Sequence, residues 1–352
     1  MYVGQSIKRR EDNKYLTGTG QFVDDVALSE NIAHAAYVRS PHPHAKIVSI
    51  STERALAMPG VLAVLTGKDW TDSGYGEAES VWPVKDMSGA PSRSVNRPFL
   101  AIDRVVRYVG ECVAMVVAED RYVAMDAAEA VDVQYEAHPA NTVTAKALDA
   151  DTPLVHPTLG TNMVLETTHG DKDAMEAAFT VATHVTECVV PTNRVTAASI
   201  EPRSYLGHYD AHKDYYTLWA ATQSPHLERM HLAVSLQIPE HKCRVIAPDV
   251  GGGFGMKLYH YPEEPTVLWA SKIVGRPVRW TGTRSEALVS DTHARDHHTL
   301  GRIAFDADGK ILAMSFETLA AFGAYESQFQ ASISNAYHFA LLSCGYDVAA
   351  IH

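Results

Sequence analysis

The stretch Cys243-Arg244-Val245-Ile246-Ala247-Pro248-Asp249-Val250 runs into Gly251-Gly252-Gly253-Phe254-Gly255, four glycines and one phenylalanine in five residues. Glycine lacks a Cβ, so such a run lets the backbone take positive φ and approach a ligand closely, at an entropic cost on ordering. Spacing excludes the common phosphate loops. A P-loop needs Gly at 256 and Ser or Thr at 258 around Lys257, where the chain has Met256 and Leu258. A dinucleotide fingerprint on Gly251 and Gly253 needs a small residue at 256 and an acidic residue about 20 positions on. The chain reads Trp269-Ala270-Ser271-Lys272-Ile273-Val274 there. Two readings remain: a Gly-rich turn joining a strand to a helix, or a loop around a cofactor that is neither NAD nor ATP.

The rest of the composition narrows the class. With 352 residues, 46% apolar and 20% charged, the chain has the make-up of a soluble protein with two or three domains. A formal charge of -12 argues against nucleic acid, which wants a basic face. Two histidine pairs, His208 with His212 and His293 with His297, have the i, i+4 spacing of helical metal ligands. Neither has Glu after its first His, as a zinc protease motif requires, and solvated or core histidines are the plainer reading. Cys112, Cys188, Cys243 and Cys344 lie far apart with no Cys-x-x-Cys, which excludes a local zinc or iron–sulfur motif and fits reduced thiols. No run approaches the roughly 18 apolar residues of a membrane span, and the polar N-terminus shows no secretory signal. The expectation is a cytoplasmic protein.

Up to about residue 140 the pattern predicts alternating strands and helices. Strands are expected at 31–39, 45–51 and 61–66, with a short helix at 52–58 stopped by Pro59-Gly60. A strand (112–118), a helix (121–130) and a strand (131–135) follow a Gly-, Ser- and Pro-rich loop from Thr71 to Ser94. Weak periodicity from His138 to Asp171 predicts an interdomain connection over the surface. Beyond it come a helix at 172–179, strands at 182–190, 205–209 and 216–222, and a helix at 227–236. The strand 244–247 feeds the glycine loop, and the helix 263–274 stops at Gly275-Arg276-Pro277. After strand 278–280, the turn Asp306-Ala307-Asp308-Gly309 leads into strand 311–322. There is no internal repeat.

Taken in order, these pieces resemble the molybdopterin-binding (large) subunit of the xanthine dehydrogenase, aldehyde oxidase and carbon monoxide dehydrogenase family. Gly18-Thr19-Gly20-Gln21-Phe22-Val23-Asp24-Asp25 is similar to the family's opening motif. Val38 to Ala45, Pro59-Gly60-Val61 and Val109 to Ala114 resemble its first, hammerhead domain. Glu201-Pro202-Arg203, Thr222-Gln223-Ser224-Pro225-His226, Pro248 to Gly255 and Gly275-Arg276-Pro277-Val278 follow in family order. The resemblance implies a mixed α/β (α+β) fold: a hammerhead α/β domain at 15–140, then the first part of the molybdopterin-binding domain at 141–352. Family members continue for several hundred residues past the point matching His352, so a truncated or split large subunit is expected. The general-base Glu is expected beyond His352.

The same resemblance assigns roles. The cofactor is molybdenum-molybdopterin, with its cytosine dinucleotide as a variant form, and the pterin dithiolene rather than the protein holds the metal. Gln223 matches the glutamine that donates to an oxo ligand of molybdenum; by itself it reads as a polar strand-end residue. Gly252, Gly253, Phe254 and Gly255 match the loop whose amides reach the cofactor, and Phe254 with Leu258 would line the substrate pocket. Purine-oxidising members carry Glu where this chain has Leu258, so an aldehyde or other neutral substrate is favoured. The implied reaction is oxidative hydroxylation with oxygen from water, electrons leaving through iron–sulfur clusters to FAD on partner subunits. A further chain carrying the second half of the domain is a third expected partner. Carbon monoxide dehydrogenase activity and a non-catalytic assembly remnant are the alternatives. Glu201 is expected to pair with Arg203 or the glycine loop, Arg284 with Glu286 as a scaffold salt bridge, and Asp249 to cap the loop.

Overall fold

The unbroken apolar run Cys112 to Ala118 forms a strand buried at every position, as a strand covered on both faces must be. The fold is built outward from it. A computed structural model describes residues 2–79, 84–93 and 95–352. The first region supplies β1 (Ala33–Arg39), β2 (Ala45–Ser51), β3 (Val61–Thr66), β4 (Val105–Val106), β5 (Cys112–Ala118) and β6 (Asp132–Ala137). Its helices are α1 (Asp12–Leu16), α2 (Glu53–Leu56), α3 (Gly67–Asp72) and α4 (Arg121–Ala130). The second region gives α5 (Lys172–Val181), β7 (His184–Val195), β8 (Ser204–Asp210), β9 (Tyr215–Ala220), α6 (Pro225–Ser235) and β10 (Cys243–Ile246). Then follow α7 (Glu263–Val274), β11 (Val278–Thr281), α8 (Arg284–Ser290), β12 (Ala294–Phe305), β13 (Ile311–Ala320) and β14 (Ala350–Ile351). The architecture is mixed α/β.

A seven-stranded sheet runs in the order β10-β9-β8-β11-β1-β5-β3. It joins strands from both regions: β1 pairs in parallel with β11, Ala33 opposite Val278, and the core beneath it mixes Tyr37, Trp70 and Met115 with Tyr205, Trp269 and Trp280. The strand–helix–strand unit at 112–135 is therefore not one βαβ layer. β5 lies in the large sheet, while β6 pairs with β2 in a three-stranded sheet beside β4. Asp120 caps α4 by accepting the Tyr122 and Val123 N–H groups, and Gly275 at φ +66 ends α7 where a glycine stop is expected.

The third sheet, β14-β13-β12-β7, contains the strand that sequence pattern misses. β12 pairs with β7 from Ala294 and with β13 from His297, yet its run Asp296-His297-His298-Thr299 is polar. Both pairings of β12 are antiparallel, and antiparallel strands with a face open to solvent tolerate polar residues. The Asp306–Gly309 turn closes this hairpin, with Asp306 Oδ1 accepting from Asp308 and Lys310 N–H. The connection 138–171 holds only short 3-10 turns. Of the loop expected at Thr71–Ser94, residues 71 and 72 end α3, while 80–83 and 94 lie outside the described residues.

One buried ion network locks the regions together. Glu263, at the start of α7, takes Arg203 at 2.6 Å and Arg39 at 2.7 Å. Arg203 also reaches Asp291 at 2.6 Å and lies 3.8 Å from the Tyr261 ring centroid, while Arg39 continues to Glu286 at 3.0 Å. Burial works to raise the Glu263 carboxyl, but the Arg203 and Arg39 charges outweigh it and hold the group down to about 2. A depressed folded-state value stabilises fully above the ordinary carboxylate range and is lost as pH falls through about 2. Removing one partner of a buried pair costs about 3–5 kcal/mol. Glu263→Gln is expected to lose that much, with the gap to wild type constant between about pH 7 and about pH 5, narrowing below about pH 4.5 and closed near about pH 2. Urea unfolding across this range measures it, and a gap that closes already near pH 5 contradicts the assignment.

Candidate cofactor site

The glycine loop is positioned by β9, α6 and β10. β9 and β10 are parallel neighbours with α6 connecting them, and ligands in open sheets bind beyond the carboxyl ends of such strands. Pro225 opens α6, where its missing N–H costs nothing. β9 ends into Thr222 and Gln223, β10 into Asp249 to Gly255, and the two segments meet. The Lys257 carbonyl accepts the Gln223 N–H at 2.9 Å and the Thr222 hydroxyl at 3.2 Å.

Gln223 and the loop then fix each other. Gln223 Oε1 accepts the Gly255 N–H at 2.9 Å, and its Nε2 has no partner among the described residues. A Cβ built on Gly253 would stand 2.5 Å from Gln223 Oε1, Cγ and Cδ. Gly253 has ordinary φ, so contact with Gln223, not backbone angle, demands glycine there. Positive φ is the demand at Gly252 (+103) and Gly255 (+82). Phe254 also sits at φ +53 and is 77% exposed. A bulky residue in left-handed backbone is strained, and such strain concentrates at ligand sites. Among the described residues, the N–H groups of Gly252, Gly253 and Phe254 have no hydrogen-bond partner, whereas those of Gly251 and Gly255 are tied down. Successive free amides around a left-handed turn make a cradle for an anion or an oxygen acceptor. Leu258 follows half-buried in the 3-10 turn Met256–Leu258.

The surrounding charges are arranged differently from expectation in two cases. Asp249 does not cap the loop. It binds the N-terminal segment instead, accepting from Lys14, from Tyr15 Oη at 3.1 Å and from the Gln21 N–H at 2.8 Å. Arg284 does not pair with Glu286. Its guanidinium donates to the Ser199 and Ile200 carbonyls at 2.6 and 3.0 Å, while Glu286 caps α8 with Thr283 and takes Arg39. The segment Arg284 holds packs on the loop: a Cβ on Gly252 would lie 3.2 Å from Ser199 Cβ. Glu201 pairs with the loop side rather than with Arg203, accepting from Gly251 N–H and from Lys257 Nζ at 2.8 Å. Burial lowers the Lys257 ammonium, and Glu201 opposes that shift.

Neither histidine pair lies on a helix. His208 is in β8 and His212 in the following turn, while His293 precedes β12 and His297 is inside it. A different histidine gathers carboxylates. His260 Nδ1 lies 2.9 Å from Glu228 and 2.8 Å from Glu264, all buried, and its Nε2 is 2.9 Å from Ser235 Oγ. Burial and the Glu264 charge push Glu228 up to about 8; burial works to lower His260, but Glu228 and Glu264 raise it to about 9. Glu264 also accepts the Tyr261 N–H at 2.8 Å, so the group is an ion triad with its hydrogen bonds made internally. The i, i+4 spacing of His260 and Glu264 across the start of α7 was the available sequence signal.

Residues 155–352 match the molybdopterin cofactor-binding domain family, and residues 17–139 the a/b hammerhead domain of aldehyde oxidase and xanthine dehydrogenase. The chain is 34% identical to the carbon monoxide dehydrogenase large chain of Afipia carboxidovorans, over 99% of this chain and 43% of that protein. It is 35% identical to the nicotine 6-hydroxylase large subunit of Paenarthrobacter nicotinovorans, over 92% of this chain and 38% of the relative. Quinoline 2-oxidoreductase from Pseudomonas putida 86 superposes with a TM-score of 0.91 at 35% identity, covering all of this chain and 44% of that one. The chain thus spans less than half the length of these relatives. With both family matches and the loop geometry in agreement, the chain belongs to the molybdopterin-binding large-subunit family of xanthine dehydrogenases, aldehyde oxidases and carbon monoxide dehydrogenases.

Proposed function

We propose that this chain supplies one wall of a molybdenum–molybdopterin site in a molybdenum hydroxylase, which oxidatively hydroxylates an aldehyde or related small carbonyl or heterocyclic substrate with water as oxygen source. The observation that carries this reading is the set of unused donors: three successive amides at 252–254 beside the free Nε2 of Gln223. In this reading residues 15–140 form the hammerhead domain and 141–352 the first part of the cofactor domain.

The cofactor, when bound, supplies the metal centre at which the substrate is oxidised and from which two electrons leave. The residues of this chain bind and orient. Gly252 and Gly253 allow close approach, and the amides of Gly252, Gly253 and Phe254 donate to the acceptors of the group. Gln223 has its carboxamide fixed through Gly255, and its Nε2 would donate to an oxygen acceptor of the bound group. Phe254 presents an apolar face that shapes the approach and excludes water. Leu258 offers no proton donor or acceptor, which favours a neutral substrate over a purine. Two relatives bear names that specify nicotine and quinoline as substrates, both nitrogen heterocycles without a purine's acidic edge. The 34% identity to a carbon monoxide dehydrogenase large chain supports that activity as the second reading.

Electron transfer falls to iron–sulfur and FAD-binding partner subunits in the cytoplasm, with a further polypeptide segment completing the domain and its general base. The four cysteines are free, and burial pushes the Cys112 and Cys243 thiols up to about 12, which suits packing rather than cluster ligation. No helix among the described residues is long and apolar enough to cross a membrane.

Metal and pterin analysis of the purified complex containing this chain is expected to find about one molybdenum per chain at full loading; a fully active complex free of molybdenum rejects the reading. Gly253→Ala, which drives a methyl into Gln223, is expected to lower molybdenum content roughly 10–100-fold. Gly255→Asn is expected to retain it, because Asn tolerates positive φ and a Cβ there meets open space. Equal loading of both variants contradicts the contact. Leu258→Glu is expected to admit purines weakly, and turnover assays with xanthine and an aldehyde measure the change.

A further inference from the structure

The glycine loop rests on a carboxylate that uses only one of its oxygens. Glu201 Oε2 accepts the Gly251 N–H at 2.7 Å and Lys257 Nζ at 2.8 Å. The Glu201 N–H donates back to the Gly251 carbonyl at 3.2 Å, so both polar atoms of the Gly251 backbone are held by one residue. Gly251 is pressed so close that a Cβ there would lie 2.5 Å from Glu201 Cβ. Lys257 is buried, and its two ends serve three partners. Its ammonium holds Glu201, while its carbonyl holds Gln223 and Thr222. Glu201 Oε1, in contrast, is buried without any hydrogen-bond partner. A carboxylate offers about four acceptor positions, and an empty buried oxygen is unfavourable unless a donor arrives.

We propose that Glu201, with Lys257 as its counter-ion, is a positioning residue for the cofactor loop. The inference rests on the molybdenum-cofactor reading above. Its logic is geometric. Clamping the Gly251 peptide at both ends fixes the direction in which the chain enters 252–254, so the three free amides stand in place before any ligand binds. The Lys257 ammonium at 2.8 Å and the Gly251 N–H converge on Glu201 Oε2, and a charge-assisted hydrogen bond is stronger than a neutral one. Because the Lys257 carbonyl also carries Gln223, both donor sets are referenced to the same residue.

The test uses the complex containing this chain, as wild type, Glu201→Gln, Lys257→Arg and the double variant Glu201→Gln/Lys257→Met. Three quantities are read: molybdenum per chain, hydrogen exchange of the peptide covering 249–257, and the thermal midpoint. Glu201→Gln is expected to speed loop exchange about tenfold and to lower molybdenum content roughly 10–100-fold. Lys257→Arg, which keeps the charge, is expected to recover most of both. The double variant, with no unpaired buried charge, is expected to regain the thermal midpoint but not the molybdenum content, an outcome a merely structural pair would not give. Should Glu201→Gln fail to assemble, Glu201→Asp, which keeps the charge but withdraws it by one methylene, is expected to show the same loss of loading. Normal loading with unchanged loop exchange in either Glu201 variant overturns the proposal. If the wild-type complex itself holds no molybdenum, the functional reading fails, and loop exchange alone then decides whether Glu201 positions the loop.

Discussion

Glu263 is the carboxylate on which the two regions converge. It stands at the first turn of α7 and faces Arg39 from the first region and Arg203 from the second, with Asp291 and Glu286 completing the cluster. In a buried setting such a network is stable only when every charge has its partner, because an isolated one bears the full desolvation penalty. That all-or-none character fixes β1, α7, α8 and the segment before β8 relative to each other. Glu201 and Arg203 are two residues apart, so the network also sets where the glycine loop finds its support.

The loop is a second case of mutual constraint. Four glycines look like one feature in sequence but answer different demands. Gly251 and Gly253 leave room for Glu201 and Gln223, and Gly252 and Gly255 take positive φ. The consequence is a backbone held at both ends with unpaired amides in the middle. Rigid support and unused donors together are what a cofactor cradle needs, since donors that must reorganise on binding contribute less. The exposed Phe254 ring belongs to the same design, its strain maintained by neighbours that are themselves clamped.

The buried triad of His260, Glu228 and Glu264 joins α6 to the start of α7. Here two carboxylates hydrogen-bond one imidazole: burial raises the Glu228 carboxyl, while burial works to lower His260 but the carboxylates raise it. Helices α6 and α7 are thereby tied by polar contacts as well as by Leu232 and Trp269 in the core beneath the large sheet.

The sequence by itself determined the elements whose signals are local. The run Cys112–Ala118, the helix Arg121–Ala130 and the helix Glu263–Val274 have the bounds that apolar runs, an Asp cap and a Gly stop dictate. The order of motifs around the glycine run likewise carried the family. Tertiary structure alone decided what depends on residues distant in the chain. That β5 and β6 belong to different sheets, that polar β12 is an interior strand, and that Asp249 and Arg284 serve backbone partners far away are choices made by packing. The reason is physical: φ preferences and hydrophobic period are local properties, whereas a hydrogen bond between Glu201 and Gly251, fifty residues apart, exists only once the sheet has brought them together.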